Sequence, residues 1–186
     1  MIRSSASSDA AFRRTILPNG LTVLTEFVPG VRSVALGAWV RAASLHEPRD
    51  RMGVSHLLEH MVFKGTPTRG VGEIARETKA VGGYLNAATI YDYTSYYTVL
   101  PSSGFAPGLE IQFDAYANSL IDAEELAREL EVIIQEAKRK ADNPHALTIE
   151  TLYEVLHDRH RIRRWRIGRE PGLRALTREQ LIAFYR

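Results

Sequence analysis

The chain has 186 residues, of which 45% are hydrophobic and 25% are charged, and it contains no cysteine. This length suits one domain with a buried core, and the composition excludes wholesale disorder, a disulfide framework, a thiolate metal site and a cysteine nucleophile. The formal net charge of +2 is too small to indicate a polyanionic partner for the whole molecule, and no apolar run approaches the roughly 20 residues that span a bilayer.

The first 14 residues contain several Ser and Arg residues and lack the apolar stretch of a secretory signal. We expect residues 1–14 to form a disordered leader on a cytoplasmic protein that does not enter a membrane. No low-complexity segment or linker divides the remainder, so residues 15–186 are predicted to form a single domain.

Strand patterns dominate the first half of the chain and helical patterns the second half. Residues 15–24 are typical of a β-hairpin whose turn contains Asn19-Gly20, because this pair readily takes the positive φ angles of a tight turn. The order of strands first and helices second predicts an α+β fold in which an antiparallel sheet packs against helices. Further strands are predicted over 34–40, 84–88 and 93–100, and helices over 53–63, 72–81, 106–120, 122–141, 145–157 and from 177 onward.

The segment SHLLEHM, residues 55–61, carries the clearest chemical pattern. Positions i, i+3 and i+4 share a helix face, so His56, Glu59 and His60 project together. Two imidazoles one turn apart can chelate one zinc ion, and a neighbouring carboxylate can accept a proton from water; this is the inverted form of the His-Glu-x-x-His motif. A pattern of five residues also arises by chance on helices, so the motif needs a third protein ligand from elsewhere.

Two glutamates on the predicted helix 122–141 are candidates for that ligand. Glu129 and Glu136 are seven residues apart, on the same edge of a helix whose apolar stripe includes Leu126 and Ile133. At about 100° per residue, both carboxylates lie roughly 60–80° from the centre of that stripe and are expected to be half-buried. The alternative is that both face water, as helix glutamates usually do, and only their co-occurrence with the histidine motif favours a metal site.

Five segments, in order along the chain, resemble the pitrilysin and insulin-degrading enzyme family of inverted zinc metallopeptidases. The similarity is greatest to its bacterial branch that resembles mitochondrial processing peptidase, and it extends over nearly all of residues 15–185. The matching segments are LPNGL (17–21), HLLEHMVFKGT (56–66), GGYLNAAT (82–89), DYTSYY (92–97) and ELEVIIQEAKRKADNP (129–144).

The resemblance implies a zinc-dependent endopeptidase that binds one Zn²⁺ per chain and hydrolyses unfolded peptides. It implies that His56, His60 and Glu136 are the metal ligands, that Glu59 is the general base and that Glu129 orients a ligand. It also implies that an edge strand binds the peptide substrate by strand addition. The residues of that strand are Tyr84, Leu85, Asn86 and Ala87.

Members of the family continue beyond the point that corresponds to Arg186, with a last strand and then a second, similarly folded domain that closes over the substrate. We therefore expect this N-terminal part to lack the last strand of its sheet, and to need either a homo- or heterodimeric partner or a C-terminal domain. The alternative reading is a non-hydrolytic or partner-dependent subunit that keeps the zinc site but lacks half of the substrate chamber.

Residues 159–174 depart from the family pattern, because they contain seven arginines against the single acid Glu170. Clustered arginines are typical of phosphate contacts, so a basic nucleic-acid-binding module is a further alternative. We favour an exposed variable loop over this alternative and expect no nucleic-acid partner.

Overall fold

A computed structural model describes residues 3–5 as backbone and residues 12–186 in full. The chain divides into two compact units, Met1–Ser33 and Val34–Arg186. Within the predicted leader, residues 1–2 and 6–11 lie outside the described residues, whereas residues 3–5 and 12–14 belong to strands. The leader is therefore not disordered where it is described, and a single domain over 15–186 stays a prediction.

The first unit contains a three-stranded antiparallel sheet in the order β1-β2-β3. These strands are β1 (Arg3–Ser5), β2 (Phe12–Ile16) and β3 (Thr22–Glu26). The predicted hairpin is confirmed, but its turn differs in detail, because Gly20 alone takes a positive φ, of 88°. The amide of Gly20 donates to the carbonyl of Leu17, and Asn19 Oδ1 accepts from the amide of Leu21. This is a type I turn followed by one left-handed glycine.

The second sheet has the order β4-β6-β5, so β5 lies at one edge among the described strands. Its strands are β4 (Ser33–Val40), β5 (Tyr84–Thr89) and β6 (Thr94–Pro101), close to the predicted ranges. Alternate residues of β6, from Thr94 to Leu100, are buried, because one face of this strand packs against the helices.

Seven α-helices lie in the second unit, among the residues that the structure describes. They are α1 (Val54–Met61), α2 (Glu73–Ala80), α3 (Phe105–Asn118), α4 (Ala123–Asp142), α5 (Pro144–Leu156), α6 (Glu170–Arg174) and α7 (Arg178–Tyr185). Six match the predicted helices, whereas the five-residue α6 was not predicted. Within residues 3–5 and 12–186, none of these helices combines the length and apolarity needed to cross a membrane.

Two clusters of buried side chains form the core of the second unit. The larger one joins α1, α4 and α7. The smaller one lies between the sheet and α2 and α3. The first includes Val54, Leu57, Met61, Leu126, Ile133, Ile134, Ala137 and Leu181, and the second includes Val62, Ile74, Tyr96, Ile111 and Ala115. The observed mixture of antiparallel sheet and packed helices confirms the predicted α+β class.

A buried carboxylate caps the N-terminus of α1. Glu47, which is 0% exposed, accepts hydrogen bonds from the amides of Gly53 and Ser55 at 2.8 Å each. Burial raises the pKa of Glu47, although the hydrogen bonds from Ser55 and Gly53 and the charge of Arg164 act against this rise. Gly53 has a φ of 96°, and a Cβ there would lie 2.6 Å from the carbonyl oxygen of Ile167. The start of α1 is thus fixed by one acid and one glycine.

We expect Glu47→Ala to lower the free energy of unfolding by about 2–4 kcal/mol, because the first amides of α1 would stay buried without an acceptor. Urea denaturation followed by circular dichroism measures this change. Glu124→Ala, which removes a side chain that is 84% exposed on α4, is the control and should leave the unfolding midpoint nearly unchanged. Equal, small effects of the two substitutions would contradict the capping role.

Candidate metal centre

Helix α1 presents the two predicted histidine ligands on one face. His56 and His60 are one turn apart, and their ring centroids lie 4.9 Å from each other. Helix α4 packs against α1 and brings Glu136 to His56, with 3.9 Å between Glu136 Oε2 and His56 Nε2. The potential ligand atoms of His56, His60 and Glu136 all lie within 4.8 Å of one another. No other group of three His, Cys, Asp or Glu residues in the described part of the chain meets that criterion.

The two imidazoles differ in hydrogen bonding, but each has a feature that suits metal binding. The Nδ1 atom of His60 lies 2.9 Å from Glu129 Oε2 and donates to this carboxylate, which leaves Nε2 of His60 free as a ligand atom. The side chain of His56 is 14% exposed, and its buried Nδ1 has no hydrogen-bond partner among the described residues. Burial lowers the pKa of His56 to about 3, with smaller contributions from the charges of His60, Arg166 and Lys140. His56 is therefore neutral near pH 7, as a metal ligand must be.

Glu129 links this face of α4 to the end of α1. Its carboxylate accepts from His60 on one oxygen and forms an ion pair with Lys64 on the other. Burial would raise the pKa of Glu129, but the hydrogen bonds and charges of Lys64 and His60 hold it below its usual value. The sequence predicts that both candidate glutamates are half-buried; this is confirmed for Glu136, whose side chain is 41% exposed, and wrong for Glu129, whose side chain is 10% exposed. The two glutamates therefore have different partners. Glu136 lies beside Nε2 of His56, whereas Glu129 accepts a hydrogen bond from Nδ1 of His60.

Glu59 lies on α1, between the two histidines in the sequence, and accepts a hydrogen bond from the neighbouring sheet. Its Oε2 atom accepts a hydrogen bond of 2.5 Å from the hydroxyl of Thr89, the last residue of β5. Burial raises the pKa of Glu59, Thr89 and His60 oppose the rise, and the charge of Glu136 adds to it. A half-buried carboxylate with such a pKa, next to a candidate metal centre, is suited to accept and return a proton.

The predicted substrate strand lies next to this helix. Strand β5 packs against α1, and its register pairs Tyr84 with Val99 and Ala87 with Tyr96. Within the described sheet its other edge carries no strand. The main-chain amide of Ala87 is one of the edge groups that a peptide strand would approach, and it donates to the side-chain oxygen of Asn86. Tyr84 is exposed and Leu85 is partly buried.

Two residues that hold the site together, Lys64 and Thr89, were not predicted from the sequence. Lys64 lies within the matching segment 56–66 but beyond the end of α1 at Met61, and no local pattern relates it to Glu129. Thr89 closes the matching segment 82–89, but nothing in the local pattern relates a strand residue to Glu59, which is 30 residues earlier.

The arginines of segment 159–174 contact the chain itself. Arg161 and Arg164 donate to the carbonyl oxygens of Leu45 and Glu47, at 2.9 Å and 3.3 Å. These bonds tie the segment to the loop that precedes α1, which favours a structural role for it, and the absence of a nucleic-acid partner stays a prediction. Arg163 bonds the carbonyl oxygens of Glu154 and Asp158, and Arg174 bonds the carboxylates of Glu131 and Glu170.

Comparison with solved structures finds proteins of the same fold. A protease from Helicobacter pylori superimposes with a TM-score of 0.89 and 23% identity, over 94% of this chain and 42% of that chain. The structure described as a peptidase M16 inactive domain from Pseudomonas fluorescens superimposes with a TM-score of 0.83 and 19% identity, over 100% of this chain and 43% of that one. At these identities the likeness shows the fold.

Sequence comparison identifies the family. An uncharacterized zinc protease of Mycobacterium bovis is 36% identical over 185 residues, which are 98% of this chain and 42% of that protein. An uncharacterized zinc protease of Bacillus subtilis is 34% identical over 169 residues, covering 91% of this chain and 41% of that protein. The chain thus spans about two fifths of the length of these relatives. Residues 22–165 match the insulinase family of peptidases, and the chain therefore belongs to this family, peptidase family M16.

Proposed function

We propose that this chain carries the zinc site of a metalloendopeptidase that hydrolyses peptide bonds of unfolded peptides, with one Zn²⁺ per chain. The observation that carries the proposal is the convergence of His56, His60 and Glu136 within 4.8 Å, with Glu59 between the two histidines. Two imidazole nitrogens and one carboxylate oxygen form a donor set that zinc takes in catalytic sites. The zinc protease names of the relatives support the choice of metal.

In this proposal His56, His60 and Glu136 hold the metal, and Glu129 fixes the ring of His60 through its Nδ1 proton. When bound, zinc supplies Lewis-acid chemistry, which polarises a carbonyl oxygen and lowers the pKa of coordinated water. The carboxylate of Glu59 takes the proton of the attacking water and then delivers it to the nitrogen of the departing amine.

Strand β5 is the proposed position of the substrate. An extended peptide that pairs with the free edge of Tyr84–Ala87 would be bound through main-chain hydrogen bonds. Such binding depends little on the side chains of the peptide, which suits unfolded oligopeptides. The partly buried positions Leu85 and Ala87 keep the strand attached to the smaller core cluster. Asn86 would have to release the amide of Ala87 if the peptide pairs there.

The length of the relatives supports a requirement for a second component. Because the chain spans about two fifths of those proteins, we propose that hydrolysis needs either further polypeptide or a homo- or heterodimeric partner to close the substrate chamber. The same fact favours a second candidate function, a subunit that binds zinc but cleaves peptide only together with its partner.

Glu59→Gln should retain zinc and lower peptide hydrolysis by about 10²–10⁴-fold, because the general base is lost while the ligand set is kept. The assay follows cleavage of a fluorogenic peptide, with and without a chelator, by the chain alone and together with the C-terminal portion of a relative. Metal content is measured in parallel.

Glu136→Gln is the matched control and should lose both zinc and hydrolysis. Hydrolysis by Glu59→Gln at the wild-type rate would contradict the role of Glu59. A zinc-loaded wild type that cleaves only when the second portion is added would favour the second candidate function, and a wild type that binds no zinc would refute both.

Glu129→Gln should weaken zinc binding by about 10- to 100-fold, because a neutral glutamine side chain orients the His60 ring less strongly than the carboxylate does. Competition against a chromogenic chelator measures the affinity. Glu131→Gln changes an exposed residue of the same helix and should leave the affinity unchanged. An unaltered affinity in Glu129→Gln would show that Glu129 does not orient a ligand.

A further inference from the structure

Two buried threonines face each other where β5 and β6 join. Thr89 and Thr94 are directly paired in the register of the two strands, and they are 6% and 3% exposed. Their hydroxyl oxygens lie 3.3 Å apart. The pair lies beneath the face of α1 that carries Glu59, since the Thr89 hydroxyl reaches that carboxylate.

The hydrogen bonds of this pair have a defined direction. A threonine hydroxyl has one proton to donate. The proton of Thr94 is directed to the carbonyl oxygen of Ala42, at 2.8 Å, and that of Thr89 is directed to Glu59 Oε2. Thr94 is therefore anchored to the main chain between β4 and α1, and its hydroxyl oxygen lies against that of Thr89, which donates its hydrogen bond to the carboxylate.

Glu59 needs such a restraint, because helix α1 fixes its main chain but not its three side-chain torsions. The hydroxyl of Thr89 reaches Oε2 of this carboxylate, and the main-chain amide of Thr89 also lowers its pKa by hydrogen bonding. A proton acceptor must be held within about 0.5 Å of its productive position to act efficiently. A carboxylate held by one residue of a rigid strand meets this requirement.

We propose that Thr89 is a positioning residue that holds the carboxylate of Glu59 for proton transfer, an inference that rests on the proposed peptidase function. The hydroxyl of Thr89 restrains Oε2, so that the carboxylate is held in place to accept the proton of the attacking water. Thr94 contributes indirectly, by fixing the place of Thr89. The predicted substrate strand and the base are thereby joined through one residue at the end of β5.

Thr89→Val removes the hydroxyl and keeps the shape of the side chain. In the form of the protein that hydrolyses the fluorogenic peptide, we expect kcat to fall about 10- to 100-fold with KM and zinc content unchanged. Thr89→Ser should restore kcat, because it restores the donor. Thr98→Val is the matched control, since Thr98 is 1% exposed on β6 and its hydroxyl has no partner among the described residues. This control should keep the wild-type kcat.

Two further measurements separate positioning from a general effect on the fold. In a Glu59→Gln background, Thr89→Val should cause no additional loss of kcat, because both changes act through the same carboxylate. A crystal structure of Thr89→Val should show the Glu59 carboxylate displaced from its wild-type place. Thr89→Ala, which also lacks the hydroxyl, replaces Thr89→Val if the latter does not fold.

The crystal structure of Thr89→Val would also test the role of Thr89 independently of the proposed function. If the wild type shows no zinc-dependent hydrolysis, the peptidase proposal fails, while the position of Glu59 in Thr89→Val still tests the restraint. An undisplaced Glu59 in Thr89→Val would overturn the inference. A kcat loss that Thr89→Ser does not reverse, or that Thr98→Val reproduces, would overturn it as well.

Discussion

The packing of α1 against α4 is the interaction on which the site depends. The buried side chains of Val54, Leu57 and Met61 share one core cluster with Ile133 and Ala137 of α4. Each of the larger side chains, those of Val, Leu, Met and Ile, contributes about 1.5–3 kcal/mol when it leaves water, so the register between the helices is strongly fixed. A shift of one residue would rotate either helix by about 100° and separate the candidate ligands.

This packing explains why each histidine meets a different glutamate. Contacts along α1 run from His56 to His60, whereas those along α4 run in reverse, from Glu136 to Glu129. Glu136 therefore lies beside the candidate ligand His56, whereas Glu129 contacts Nδ1 of His60 and forms an ion pair with Lys64. Burial keeps His56 neutral, while Glu59 receives its restraint from the sheet rather than from either helix.

Periodicity in the sequence was sufficient to predict α1, α4 and the residues that share their faces. Spacing alone could not decide between Glu129 and Glu136, because the two are related by two helical turns and lie equally far from the apolar stripe. The resemblance to the family assigned Glu136 as a ligand, and the structure places it beside His56. The contact of Thr89 with Glu59 had no local signal, since tertiary packing brings together residues that are 30 positions apart. The cap of α1 by Glu47 spans only six to eight residues, but no cap motif of the sequence indicates it.

The Arg-rich segment illustrates the same limit. Its composition indicated an exposed loop or a phosphate-binding surface, yet it contains the short helix α6, and two of its arginines bond carbonyl oxygens near the start of α1. Composition gives the charge of the arginine side chains but does not show which oxygen atoms accept their hydrogen bonds. Residues 3–5 and 12–14 likewise belong to strands, although their composition resembled that of a leader.

The zinc site between α1 and α4 can be tested by anomalous diffraction across the zinc K edge, from crystals of the chain grown with equimolar zinc. We expect one peak, bonded to Nε2 of His56, Nε2 of His60 and a carboxylate oxygen of Glu136 at about 2.0–2.2 Å. A peak held by other residues, or no peak between α1 and α4, would contradict this expectation.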